Sequence, residues 1–428
     1  MREKIEMLNK IKEFVLKRQI VIFIMYYITL FIDTTCIEID YPITEIVVGT
    51  FRYIIYVFLF IRLLFLLPDY KKAVFSVKWK DKSKLSKLLY LVIGVLLISV
   101  FINFIVTQNR RLIFTIFVLL AFYDTNYKKI IKETMSLQVI LTSILVLLCI
   151  LGVTQNYVVG RGEISRYSMG FVYTTNLAQM VLFSSILYMY INGTKTKMQH
   201  LFVIQLINVF TYFITNSRSE FILLEMIIVM MMLFKFLAKL KKHIIIKKIK
   251  SACASFFTST FVIYPLLSLL IVLLYPQGGI WNDVNKVLSS RLSQTYDDIV
   301  QYGVDPFGQD IEFLGLGIEQ KMKYGTYKSN YVDNEYLQLM FLHGYIFIIS
   351  FIALLNILLY MLYMKKRYKE ILLCSIYLLF GLINPRIVNV LYSPILFMII
   401  PTVLEYKKEN IKSQSKEEKD SIQCQRKV

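Results

Sequence analysis

The 428-residue chain is 57% apolar and only 18% charged, against roughly 45–50% and 25% in soluble domains, which excludes an ordinary water-soluble globule. Its formal charge of +20 would suit nucleic acid in a soluble protein, but here it sorts by side of a membrane, so no nucleic-acid partner is expected. Five cysteines without ligand spacing and three histidines argue against a disulfide framework, a zinc site or histidine-based catalysis, and no metal or cofactor is expected.

In chain order, residues 1–19 are basic and amphipathic, and the apolar stretch after them reaches Asp33 without a small-residue cleavage site. A retained signal anchor is expected. Apolar runs long enough to approach a crossing recur near 17–33, 43–67, 88–106, 112–124, 135–153, 171–191, 200–215, 221–237, 252–275, 336–362, 371–384 and 387–404. Their unbroken character, without period-2 alternation, favours helices over a barrel. The expected fold is an all-α polytopic membrane protein with about 12 transmembrane helices. Spans 1–9 fall within 1–275, a large extracytoplasmic loop with short helices covers 276–335, spans 10–12 fall within 336–404, and a charged cytoplasmic tail covers 405–428.

With the N-terminus inside, the cytoplasmic segments hold 36 of the 49 Lys and Arg, the opposite segments 11, and the second span the remaining Arg52 and Arg62. This bias places both termini in the cytoplasm. Only four of the 36 inner basic residues are arginine, whereas seven of the 11 outer ones are: Arg110, Arg111, Arg161, Arg166, Arg218, Arg291 and Arg386. Lysine suffices to hold a loop against anionic lipid. Arginine's planar fork grips phosphate and carboxylate bidentately, so an outer site for an anionic ligand is expected. Any single one of these arginines could equally cap a helix or pair with a nearby acid.

Arg62 lies near a helix end and is expected to snorkel. Arg52 lies nearer mid-depth, where a charge costs about 2.5–3.5 kcal/mol, and should face a cavity or an acidic partner. Glu225 follows Arg218 by seven residues, on nearly the same helix face, and an Arg–Glu pair is expected there.

The loop carries five basic and nine acidic residues, a net −4 in a strongly basic chain. Connections this long are usually functional or disordered, and its aromatic and apolar content favours order. After the Pro276-Gln277-Gly278-Gly279 turn, the pattern predicts a helix over about 283–301, capped by Asn282 or Asp283. Val284, Val287, Leu288, Leu292 and Ile299 form one apolar stripe bordered by Arg291, which should point inward. Pro306, the Gly315-Leu316-Gly317 turn and Tyr331-Val332-Asp333-Asn334-Glu335-Tyr336 lead to the next span. Asp333 and Asn334 could cap that span or hydrogen-bond a polyol.

Ser217-Arg218-Ser219 opening a span, Ser290-Arg291-Leu292 in a large outer loop, and Asp333-Asn334-x-Tyr336-Leu337 re-entering ahead of Gly344 resemble the Wzy-type polysaccharide polymerase and O-antigen ligase superfamily. The hydropathy layout matches over the whole chain and the motif residues cover roughly 217–344. The resemblance implies a metal-independent glycosyltransferase in the bacterial cytoplasmic membrane, making O-antigen, capsule or exopolysaccharide from undecaprenyl-diphosphate-linked oligosaccharides. Membrane lipids, a flippase and a chain-length regulator are its implied partners. By position, Arg291 and Arg218 match the family's Ser-Arg elements. Asp333 stands where many ligases have histidine, which favours a polymerase and makes Asp333 the candidate base beside Arg291. Arg161 and Arg166, by side and type only, join Arg218, Asn334, Tyr336 and Arg52 as candidate substrate-binding residues. Diphosphate leaving an anomeric carbon builds oxygen charge that preorganised arginine stabilises, and a carboxylate near the acceptor hydroxyl could take its proton. The alternatives are a lipid-linked oligosaccharide flippase or other transporter, a ligase, and a metal-dependent glycosyltransferase using Glu38 and Asp40.

Overall fold

The computed structural model describes residues 12–75, 84–161, 164–240, 243–287, 290–315, 317–318 and 330–405. The basic stretch 1–11, Leu288 of the apolar stripe, Leu316 of the glycine turn, the lysines of 319–329 and the tail 406–428 lie outside the described residues.

The apolar runs become helices: α1 Gln19–Ile32, the single turn α2 Ile37–Asp40, α3 Ile43–Phe75, α4 Lys84–Thr107, α5 Arg111–Ala121 and α6 Tyr127–Ile150. A two-stranded antiparallel hairpin follows, β1 Val158–Arg161 with β2 Ile164–Tyr167, pairing Val158 with Tyr167. It modifies the all-α expectation at the short loop 154–170. Then come α7 Asn176–Asn192, α8 Met198–Thr215, α9 Arg218–Lys239, α10 His243–Thr260 and α11 Ile263–Leu274. The loop holds α12 Ile280–Val287 and α13 Arg291–Tyr302, and the chain returns through α14 Glu335–His343, α15 Tyr345–Met364 and α16 Tyr368–Phe380.

Among the described residues, six helices are long and apolar enough to cross a membrane, and α10 with α11, bent by 53°, makes a seventh if taken as one span. Ile43, Phe210, Phe213 and Ile244 are among many large apolar side chains left exposed on the outside of the bundle. A continuous exterior of this kind belongs in hydrocarbon rather than water. The chain is therefore a helical membrane protein. Of these six, α15 is the most enclosed, with 61% of its apolar window buried against 22–33% in the others; α4, α10, α14 and α16 pack around it.

Two expected elements fold differently. The helix expected over 283–301 is two helices, because Ser290 takes a left-handed conformation (φ +64°) between them. Val287 is then fully exposed, while Leu292 is buried, so the stripe is not continuous. The last expected span, 387–404, is helical only over Pro394–Glu405. Residues 381–393 are irregular yet largely buried, as Pro385 and Pro394 each remove a backbone donor.

Arg62 does not snorkel. It is fully buried, donating to Ala121 O (2.7 Å), Val15 O (3.2 Å) and Gln19 Oε1 (2.7 Å) and pairing with Asp124. A guanidinium can be buried when its donors are satisfied in this way, and here it ties α1, α3 and the α5–α6 turn together.

The loop is fastened to the bundle at a helix break. α14 and α15 are separated by Gly344 (φ +86°), and the first N–H groups of α15 would be unsatisfied there. Loop carbonyls supply the acceptors, with Tyr345 N bonding Asp305 O (3.2 Å) and Ile346 N bonding Pro306 O (3.3 Å). Asn103 of α4 donates to Phe307 O (2.6 Å) and Leu342 O (2.9 Å) and also contacts buried His343 (2.9 Å). The strands of chain pass so closely that a Cβ on Gly344 would lie 2.2 Å from Pro306 O, and one on Gly308 2.3 Å from Leu342 O.

Candidate functional site

At the end of the bundle that carries the loop, polar side chains from five segments meet. Arg291, the first residue of α13, points its Nε at Asp333 Oδ2, 2.5 Å away, and both side chains are about one-third exposed. The pair joins the loop helix to the segment re-entering the bundle. That segment is laced to the irregular 381–388 stretch: Glu335 N donates to Gly381 O (2.8 Å) and Asn334 Nδ2 to Leu382 O (3.2 Å). The buried Glu335 carboxylate accepts from the N–H groups of Ile387 and, at 2.9 Å, Val388.

These contacts hold Arg386 in place. Its guanidinium lies 4.6 Å from the centroid of the Tyr392 ring, within favourable cation–π range. It donates to Gln179 Oε1 (2.7 Å) and Asn176 Oδ1 (3.3 Å), both in the first turn of α7. Gln179 passes the network on to buried Glu220 (3.3 Å), which also accepts from Ser219 (3.0 Å) at the start of α9. Next to these, Arg166 of β2 donates to Thr215 O (2.7 Å) and Ser217 Oγ (3.4 Å). Arg218 is exposed and makes no ion pair or hydrogen bond among the described residues. Buried polar atoms normally have partners, yet Asn384 Oδ1, Tyr392 Oη and Ser393 Oγ, all in the irregular stretch around Arg386, have none among the described residues.

Several expected site residues are placed elsewhere or occupied otherwise. Tyr336 is buried with its Oη donating to Leu378 O (2.7 Å), so it serves packing rather than a ligand surface. Asn334 caps α14 by accepting from Leu337 N (3.2 Å), and its amide is spent on Leu382, which makes it structural. Arg52 has found its acidic partner, Asp33, and also donates to Thr29 O (2.9 Å). Arg161 ends β1, and its side chain lies outside the described residues. The expected Arg218–Glu225 pair does not form: Glu225 accepts from Asn208 (2.9 Å) and Gln205 (3.4 Å) of α8 instead. Asp40 accepts from Gln155 N (3.0 Å), and no group of three or more potential metal ligands occurs among the described residues.

Glu220, Asn176 and Gln179 carry no signal in the sequence, Glu335 stands there only as a member of the re-entry segment, and Arg386 only as one of seven outer arginines. The Asn384-Pro385-Arg386 interruption of an apolar stretch was the available signal, since a helix cannot continue through it.

Asp298 on α13 is buried, and its Oδ2 has no partner among the described residues. Burial, reinforced by neighbouring Asp297, pushes its pKa up to about 6. The folded state therefore holds this proton more tightly than the unfolded chain, and that stabilisation is lost as pH rises through about 6. Asp298→Asn should melt about 2 °C or more above the parent at pH 7.5, with the gain shrinking towards pH 5. Equal gains at both pH values would show that ionisation of Asp298 is not the cause.

No family model, curated protein or solved structure matches the chain.

Proposed function

We propose that the chain is a bacterial polysaccharide polymerase that transfers a growing glycan from an undecaprenyl-diphosphate carrier to a lipid-linked repeat unit on the outer face of the cytoplasmic membrane. The observation that carries this reading is the gathering of arginines at the loop-bearing end. Arg291 is paired to an acid at the loop's return, Arg386 is fixed over Tyr392 within a polar network, and the Arg218 side chain is without a partner among the described residues. Donors held by packed side chains suit the charge that develops on a departing diphosphate. Asp333, one-third exposed beside Arg291, is the group to take the acceptor's proton. Exposed Ile280 and Val287 on α12, together with Trp281, would let the loop rest at the membrane interface above the site.

In this reading the chain crosses about twelve times with both termini inside. Short helices such as α5, about 17 Å long by the usual rise, would complete their crossings through irregular backbone. Such backbone is tolerated at membrane depth where protein buries it, as over 381–393.

A second reading, a lipid-linked oligosaccharide flippase, is favoured by the 53° bend between α10 and α11 and the break at Gly344, because transporters commonly use broken helices. Lipid-linked sugars of a deletion strain separate the two. A polymerase defect should leave single repeat units accessible to glycosidase at the outer surface. Units accumulating only on the inner face would favour the flippase, and undiminished polymer would sink both.

A further inference from the structure

At the opposite end of the bundle a groove runs between α7, α9, α10 and α16, and its lining is almost entirely apolar. Met189, Met231, Phe234, Leu373 and Ile376 form its walls, and among the described residues Lys250 and Lys369 are the charged ones that line it. Lys250 lies over the Phe234 ring, 5.2 Å from its centroid. Lys369 Nζ lies over the turn at Gly193, 3.1 Å from where a Cβ would project. Neighbouring Lys235 is committed to Thr196 O. By contrast, neither Lys250 nor Lys369 has a carboxylate partner among the described residues.

Two ammonium groups in a groove of methionine and aliphatic carbon ask for a ligand that is anionic at one end and hydrocarbon at the other. Lysine holds a phosphate as a point charge without demanding bidentate geometry, and methionine walls adapt to a flexible chain. The lysine-rich end of the bundle is also the end that charge bias turns towards the anionic leaflet. A soluble phosphate compound would leave the apolar walls unused, and an uncharged lipid would leave both ammonium groups unanswered.

We propose that this groove is a binding site for one anionic glycerophospholipid, with an acyl chain along the α7–α9–α16 wall and the phosphate between Lys250 and Lys369. The site is separate from the arginine network, and its occupancy does not depend on glycan chemistry.

The full-length protein in neutral detergent, titrated with dioleoyl-phosphatidylglycerol and followed by native mass spectrometry, tests this. One tightly held lipid per chain is expected, with dioleoyl-phosphatidylcholine binding far more weakly. Lys250→Gln with Lys369→Gln should weaken the phosphatidylglycerol adduct roughly 30-fold, from about one lysine's contribution each. Lys250→Arg with Lys369→Arg should retain it, and Met231→Trp, which fills the groove and leaves both lysines, should lose it. The proposal is overturned if the glutamine pair binds as the parent does, or if phosphatidylcholine binds equally. Displacement of the lipid by millimolar inorganic phosphate, or retention of the adduct in Met231→Trp, would overturn it too.

Discussion

Under the proposed polymerase activity, Arg291→Ala is expected to reduce chain growth at least about 100-fold, the cost of removing one preorganised donor to a developing oxyanion, and to leave single lipid-linked repeat units behind. The structure separates this effect from misfolding. The Arg291–Asp333 pair is about one-third exposed on both sides, and exposed pairs contribute about 1 kcal/mol or less. The variant should therefore reach the membrane in normal amount. Arg291→Lys should rescue poorly, because an ammonium cannot reproduce the fork that meets two phosphate oxygens at once. A charge-exchanged protein, Arg291→Asp with Asp333→Arg, would keep an ion pair between loop and re-entry segment but move the cation. It should be stable and inactive if either residue serves the ligand, and active if the pair serves only to fasten the loop. Gel analysis of polymer length, beside extraction of lipid-linked sugars, reads all three. A normal length distribution in Arg291→Ala would end the assignment of this residue to chemistry.

Hydropathy made the helices legible because each spanning segment must satisfy its backbone internally and present apolar side chains to lipid. The run over 88–106 became Lys84–Thr107, and 221–237 became Arg218–Lys239. What hydropathy could not carry was the difference between an apolar segment that is helical and one that is merely buried. Residues 387–393 are as apolar as a span, yet between Pro385 and Pro394 they are irregular, with the N–H groups of Ile387 and Val388 taken by Glu335, some 50 positions earlier in the chain, and those of Leu391, Tyr392 and Ser393 by Asn389. The same limit explains Arg62 and Glu225. Helical spacing assigned Glu225 to Arg218 on its own helix, whereas its partners lie on the neighbouring α8. Arg62 looked like a charge near a helix end, and its partners Gln19 and Asp124 are 43 and 62 residues away. Within the site, the ion pair joins two residues singled out by resemblance, Arg291 and Asp333. Arg386 and its scaffold depend on contacts between segments about 200 residues apart, which no local pattern encodes.

Glu335→Ala should be the most damaging change at the site for folding, through a route different from that of Arg291. Its carboxylate is almost fully buried and receives two backbone N–H groups from the turn after Arg386. Truncation leaves the buried Ile387 N–H and the part-buried Val388 N–H without this acceptor, at about 1–3 kcal/mol each. A loss of roughly 3 kcal/mol or more would lower the melting temperature by about 3 °C or more in a chain of 428 residues. Glu335→Gln keeps one carbonyl acceptor and should fall between parent and alanine variant. Tyr336→Phe, next door, removes a single bond to Leu378 O and should cost only about 1 kcal/mol. The consequence for function follows from position. The turn that Glu335 holds also carries Arg386, so loosening it should free the guanidinium from Tyr392 and Gln179 before the bundle itself melts. Activity in Glu335→Gln should accordingly decline at temperatures where the helical circular-dichroism signal is still complete. Loss of activity and helix at the same temperature would mean that Glu335 supports the whole fold rather than the arginine in particular.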